Sequence, residues 1–108
     1  MIVELRIYEA TPGKLGALLT RFETVTLPIL TRIGIRQIGF WTTLVGESAN
    51  SLTYMLHWES LAEREKLWAL FQADPEWIEK KAETERNGVL VADARNEFLL
   101  PTSFSSLR

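Results

Sequence analysis

The segment from Ile38 to Glu59, IGFWTTLVGESANSLTYMLHWE, constrains the fold more than any other part of the chain. It reads as two strands around a polar turn, with large apolar groups on both faces. Side chains alternate along a strand, so a sheet covered on one side should be apolar on one face only. Two apolar faces need two covers. The strands are expected at about 35–45 and 52–59, separated by the turn formers of GESANS. Pairing Val45 near Leu52 places Gly39, Trp41, Thr43, Tyr54, Leu56 and Trp58 on one face. Ile38, Phe40, Leu44, Met55 and His57 then share the other, and a one-residue change in the loop exchanges the two sets.

The flanking segments supply one of the covers. Val3, Leu5 and Ile7 alternate with Glu4, Arg6 and Tyr8 in a first strand over residues 2–9. Thr11-Pro12 predicts a helix start, with Thr11 as N-cap and Pro12 at the first helical position. Leu15, Leu18, Leu19, Phe22, Ile29 and Ile33 form its buried stripe, Pro28 should kink it, and Gly34 should end it. Ser60 and Glu63 form a capping box for a second helix whose apolar face is Leu61, Leu67, Trp68, Leu70 and Phe71. Asp74-Pro75 restarts a helix that stops near Asn87-Gly88, and VLVADARNEFLL reads as the last strand.

The order βαββαβ is that of an α+β, ferredoxin-like antiparallel sheet carrying its helices on one face. Residues 1–101 form that domain and residues 102–108 a tail, ordered if Phe104 and Leu107 find a surface. The face without helices is expected to meet a second copy in a homodimer, with Phe40, Leu44 and Met55 as candidate contacts.

Composition excludes several partners. The net charge is −2 and the pI about 5.4, without any basic run, which disfavours nucleic acid and anionic membranes. The absence of cysteine removes disulfides, thiol nucleophiles and thiolate metal sites, and is compatible with a reducing compartment. MIVELRIYE enters a strand directly, with neither a signal peptide nor a membrane span, so a cytoplasmic location is expected.

Several separated motifs, ELRIYEATPGKL, FETVTLPILTRIGIRQIGFWTTLVGE, LTYMLHWESLAEREKLWALFQADPEW and NEFLLPT, together resemble the NIPSNAP family over almost the whole chain. The resemblance implies a ferredoxin-like fold and a dimeric α+β barrel built from two sheets. It implies no agreed reaction. Animal members of the family are associated with mitochondria and with proposed roles in vesicle traffic and organelle quality control; their targeting extension is not part of this sequence. Other dimeric α+β barrel families include cofactor-free monooxygenases, small-ring isomerases and haem-handling enzymes, but a fold does not by itself carry chemistry.

The chemistry-bearing residues admit two readings each. His57, the sole histidine, is either packed between strands or a general base oriented by Glu4 or Glu59. Arg6 is either paired with Glu4 inside the fold or, with Tyr8, a fork for a carboxylate or phosphate ligand. Trp41, Tyr54, Trp58, Trp68 and Phe71 either fill the core or line an apolar cleft for a flat hydrophobic ligand. Gly39 would leave room for the Trp58 indole opposite it. One histidine and no cysteine give no metal site and no cofactor, with haem on an axial His57 as the residual exception. The expected function is a homodimeric binding or interaction protein holding a small hydrophobic ligand. The alternative is a cofactor-independent monooxygenase- or isomerase-type enzyme using Arg6, Tyr8 or His57.

Overall fold

The computed structural model describes residues 1–108. Strand β1 (Ile2–Ala10) is followed by α1 (Leu15–Arg21), a π-helical turn (Phe22–Thr26) and α2 (Leu27–Ile33). Strands β2 (Arg36–Thr42) and β3 (Ser51–Trp58) precede α3 (Leu61–Ala73), α4 (Pro75–Thr84) and β4 (Val91–Leu99). The sheet order is β2-β3-β1-β4 and every pairing is antiparallel. Leu18, Phe22, Ile29, Leu30, Phe71 and Trp77 from the helices share one core with Leu52, Tyr54, Leu56 and Trp58 of β3. This is the α+β ferredoxin-like arrangement, with the helices on one face of the sheet.

Helix ends follow from local chemistry, with one correction. Thr11 does not cap a helix: the Lys14 N–H donates to the Thr11 carbonyl at 2.8 Å and Gly13 sits at φ +80°. Pro12-Gly13 at the centre of such a turn is a type II turn, because only glycine takes the positive φ without strain. The helix starts at Leu15, and Lys14 before it makes no side-chain cap bond. Its bend is a π turn rather than a simple proline kink; the Leu27 N–H reaches five residues back to the Phe22 carbonyl, directly before Pro28, which has no N–H to give. Gly34, at φ +101°, ends α2 in the left-handed conformation, and the Ile35 N–H closes back on Leu30 at 2.9 Å. Ser60 accepts from the Glu63 N–H at 3.1 Å, and the Glu63 carboxylate returns to the Glu59 N–H at 3.0 Å. Asp74 caps α4 through the Trp77 N–H at 3.0 Å. On α3, Phe71 is buried and Leu67 and Trp68 are partly buried, but Leu61 and Leu70 face solvent rather than the core.

The hairpin register differs from the Val45–Leu52 pairing. Thr42 pairs with Leu52 and Phe40 with Tyr54, a shift of odd parity, and an irregularity falls between Gln37 and Gly39. Strand β2 therefore ends sooner and its faces exchange. Phe40 stacks on Tyr54 at 4.9 Å beneath the helices and is not on the bare face. Leu44 lies in the connecting loop, 96% exposed, outside any strand. Met55 keeps its place on the bare face, opposite Leu5 of β1. Trp41 moves to that bare face, paired with Thr53, and lies over Gly39 rather than inside a cleft. A Cβ on Gly39 would come within 2.7 Å of the Trp41 indole, so Gly39 accommodates Trp41 and not Trp58.

Strand β1 is inverted relative to simple amphipathic expectation. Glu4, Arg6 and Tyr8 pair with Leu56, Tyr54 and Leu52 and so point under the helices, whereas Val3, Leu5 and Ile7 occupy the face without helices. A strand that buries its charges and exposes its aliphatics must satisfy the charges internally. It also leaves an apolar strip on the bare face.

Candidate functional site

Glu4 is 0% exposed and its carboxylate is the acceptor for every polar group around it. Arg6 Nη1 donates to it at 2.8 Å, Asn96 Nδ2 at 2.9 Å, Trp58 Nε1 at 3.0 Å, and Arg64 through both Nε and Nη2 at 3.2 Å. Burial alone would raise the Glu4 pKa. The hydrogen bonds from Arg64, Asn96 and Arg6 outweigh burial and hold it below the ordinary carboxylate value. Arg6 divides its remaining donors between two phenols, with Nε 2.7 Å from the Tyr54 hydroxyl and Nη2 2.9 Å from the Tyr8 hydroxyl. Burial would lower the Arg6 pKa, but Tyr54, Tyr8 and Glu4 together raise it, so the guanidinium stays charged. Trp68 carries both cations against its ring, Arg6 at 4.5 Å and Arg64 at 5.0 Å.

The two phenols form the sheet-side wall of a cavity of about 270 Å³ between the sheet and the helices. Tyr8 and Tyr54 are 3.1 Å apart, oxygen to oxygen. Arg6 donates to both and one hydrogen bond links them, so one O–H proton of the pair has no acceptor within this network. Burial first, then Tyr8, raises the Tyr54 pKa against the opposing effect of Arg6, which keeps that phenol protonated at neutral pH. The aromatic walls are Phe22, Trp68, Phe71 and Trp77, and Arg21, Thr26, Lys81 and Glu85 supply the polar edge. Phe71 and Trp77 lie 4.7 Å apart, and the Arg21 guanidinium lies 5.3 Å over the Trp77 ring.

The structure separates the residues singled out from the sequence. Tyr8, Tyr54, Trp68 and Phe71 line the cavity, and Arg6 stands behind the two hydroxyls. Trp58 is core, tied to Glu4, and Trp41 is on the opposite face. His57 is also on that opposite face, paired with Arg36 across the strands and 3.8 Å from Glu59, and it does not reach the cavity. Arg21, Thr26 and Trp77 were not singled out. Their signal was present: Arg21 and Thr26 stand beside Leu18, Phe22 and Ile29 on the buried stripe, and a polar residue on such a stripe marks either a buried partner or a site.

A ferredoxin-like sheet roofed by helices, with an aromatic-walled cavity between the layers, places the protein among the α+β ferredoxin-like folds. A putative antibiotic biosynthesis monooxygenase from Nitrosomonas europaea shares the fold at a TM-score of 0.63 with 9% identity, covering 94% of this chain and 98% of that one. Within the class, the chain belongs to the NIPSNAP family, whose profile matches residues 3–106. A NIPSNAP family protein from Agrobacterium tumefaciens is 30% identical over 99% of this chain and 98% of its own, with a TM-score of 0.87. An uncharacterized NIPSNAP domain protein from Burkholderia xenovorans is 27% identical over 97% and 98%, with a TM-score of 0.84. Among curated proteins no match is found. No helix is long and apolar enough to cross a membrane.

Proposed function

We propose that the protein is a homodimeric binding protein that holds a small, largely apolar ligand between its sheet and its helices. The observation that carries this reading is the cavity itself: about 270 Å³, walled mostly by aromatic and aliphatic side chains, with a few polar groups at its edge. An apolar cavity of about 150 Å³ suffices for benzene, so a body of one or two rings is accommodated. Saturating naphthalene should shift the backbone amide signals of Phe71, Val91 and Ala94 in a heteronuclear spectrum. An unchanged spectrum would refute the reading.

The dimer rests on the bare face. Leu5, Ile7, Met55 and Trp41 make an apolar strip there that the chain's own helices do not cover. The adjacent row Asp93, Arg95, Glu97 alternates in sign, so a two-fold copy offset by one position along it meets opposite charge. The occupant this pattern suits is a second copy of the same chain.

A second reading is favoured by the unspent proton of the Tyr8–Tyr54 pair. A ligand carbonyl placed against it would be polarised by a phenol that Arg6 fixes in position, the electrophilic half of an isomerase-type proton transfer, with Glu85, the carboxylate on the lining, to take the α-proton and return it. On that reading Tyr8→Phe abolishes turnover of an enolisable aromatic ketone and leaves naphthalene binding intact. Equal turnover by wild type and variant would exclude it.

A further inference from the structure

The polar atoms of the cavity narrow the class of ligand, resting on the binding reading above. Arg21 and Thr26 are each only 4% exposed, and neither Arg21 Nε nor Thr26 Oγ1 has a hydrogen-bond partner. Both residues line the cavity. Buried donors without acceptors are costly and rare, so two of them on one cavity wall require a cause.

Thr24 supplies the comparison. Its hydroxyl donates back to the Thr20 carbonyl at 2.8 Å, the usual resolution for a threonine within a helix. The equivalent acceptor for Thr26 is the Phe22 carbonyl, and the π turn commits that carbonyl to the Leu27 N–H. The Thr26 hydroxyl makes no such bond inside the π turn, and π turns of this kind recur at functional sites. Arg21 is held from its other end: Nη1 donates to Glu85 at 3.2 Å and to Thr84 at 3.4 Å, leaving the Nε edge unspent. Around the cavity Arg21 is paired with Glu85, and Lys81, exposed at the rim, leaves the lining with one net positive charge.

We propose that the ligand is a planar aromatic carboxylate, its ring among Trp68, Phe71 and Trp77 and its carboxylate accepting from Arg21 Nε and Thr26 Oγ1. The anion balances the surplus charge, satisfies both orphaned donors and keeps the ring on apolar walls. Carboxylate rather than phosphate is indicated by the donor number, since two donors match two oxygens and a doubly charged head would exceed the surplus.

The test uses 2-naphthoate, its neutral amide 2-naphthamide and naphthalene, titrated calorimetrically into wild type and Thr26→Val, with amide shifts to locate each probe. Thr26→Val preserves side-chain size and deletes the hydroxyl, so the fold should survive; its melting curve checks that it does. The expected result is that 2-naphthoate binds at least tenfold more tightly than 2-naphthamide, and that Thr26→Val weakens naphthoate about tenfold while leaving naphthalene unchanged, as loss of one charge-assisted hydrogen bond requires. If naphthalene binds in the cavity but naphthoate gains nothing over the amide, or Thr26→Val weakens both acid and hydrocarbon alike, carboxylate recognition is overturned and the apolar cavity stands. If none of the three probes shifts the cavity signals, the binding reading fails and takes the inference with it.

Discussion

Replacing Glu4 by Gln keeps volume and shape and removes one charge from the centre of the fold. Five donor atoms converge on that carboxylate, two of their parent groups being guanidinium cations. In Glu4→Gln the carbonyl oxygen can still accept, but the amide nitrogen presents hydrogens to arginine and asparagine donors, and two cations lose their counter-ion. Removing one partner from a buried ion pair costs about 3–5 kcal/mol. A domain of this size has a total stability of about 5–15 kcal/mol, so the change consumes about a fifth of it or more. With an unfolding entropy of about 2.1 cal/mol/K per residue, the melting temperature should fall by about 13–22 °C. Calorimetric melts at pH 7 read this directly.

The pH dependence gives a second, independent check. The Glu4 pKa is lower in the folded chain than the ordinary value of 4.5, so the folded state favours the ionised form. Its contribution is complete above about pH 4.5 and is lost as pH falls through the lower folded value. The wild-type and Glu4→Gln melting temperatures should therefore stay a constant distance apart from pH 8 to about pH 5 and converge below that. A drop smaller than about 4 °C, equivalent to about 1 kcal/mol, would show that water or rearrangement compensates the cluster and that Glu4 is not its keystone.

The architecture was legible because its signals are local. Alternation in β1, the Ser60–Glu63 box, the Asp74-Pro75 restart and Gly34 all act within a few residues of where they are written, and the motif resemblance agreed with them. The hairpin register was not legible because parity depends on where β2 ends, and an irregularity at Gln37–Gly39 together with a loop starting after Thr42 changes that parity without any compositional mark. That one shift moved Phe40 inward and Trp41 outward. The Arg6–Glu4 pair was readable as the internal partner of a charge on a central strand, but the arrival of Arg64 and Asn96, sixty and ninety-two residues away, was not. Tyr8, Tyr54, Trp68 and Phe71 were readable as aromatic and inward; that they surround an opening was not, because the opening depends on how helices distant in sequence sit over the sheet.

Four further changes separate the faces and the chemistry. Gly39→Ala must displace the half-exposed Trp41 indole, since the added Cβ meets it at 2.7 Å; tryptophan emission should shift to longer wavelength with a stability loss of about 1 kcal/mol, and unchanged emission would contradict the stacking. The raised Tyr54 pKa favours the protonated phenol in the fold, so that part of the stability is present below about pH 10 and lost as pH rises through the folded value; Tyr54→Phe should flatten the alkaline limb of the melting profile, and an unaltered limb would count against the coupling. The last contrast is Met55→Lys against Phe40→Ala. Met55 stands on the bare face, where the proposed two-fold dimer would carry the substitution twice, so Met55→Lys would place two uncompensated charges in an apolar interface. Light scattering at micromolar concentration should give a dimer for the wild type and a monomer with a nearly unchanged melting curve, per protomer, for Met55→Lys. Phe40 instead packs on Tyr54 at 4.9 Å and on Phe22 at 5.5 Å under the helices, so its truncation should cost about 2–3 kcal/mol of stability, below the full-burial figure because the ring is half-buried, and leave the dimer assembled. The reverse pattern, dissociation by Phe40→Ala and none by Met55→Lys, would mean that the assembly uses the helical side and that the aliphatic face of β1 is covered by something other than a second copy.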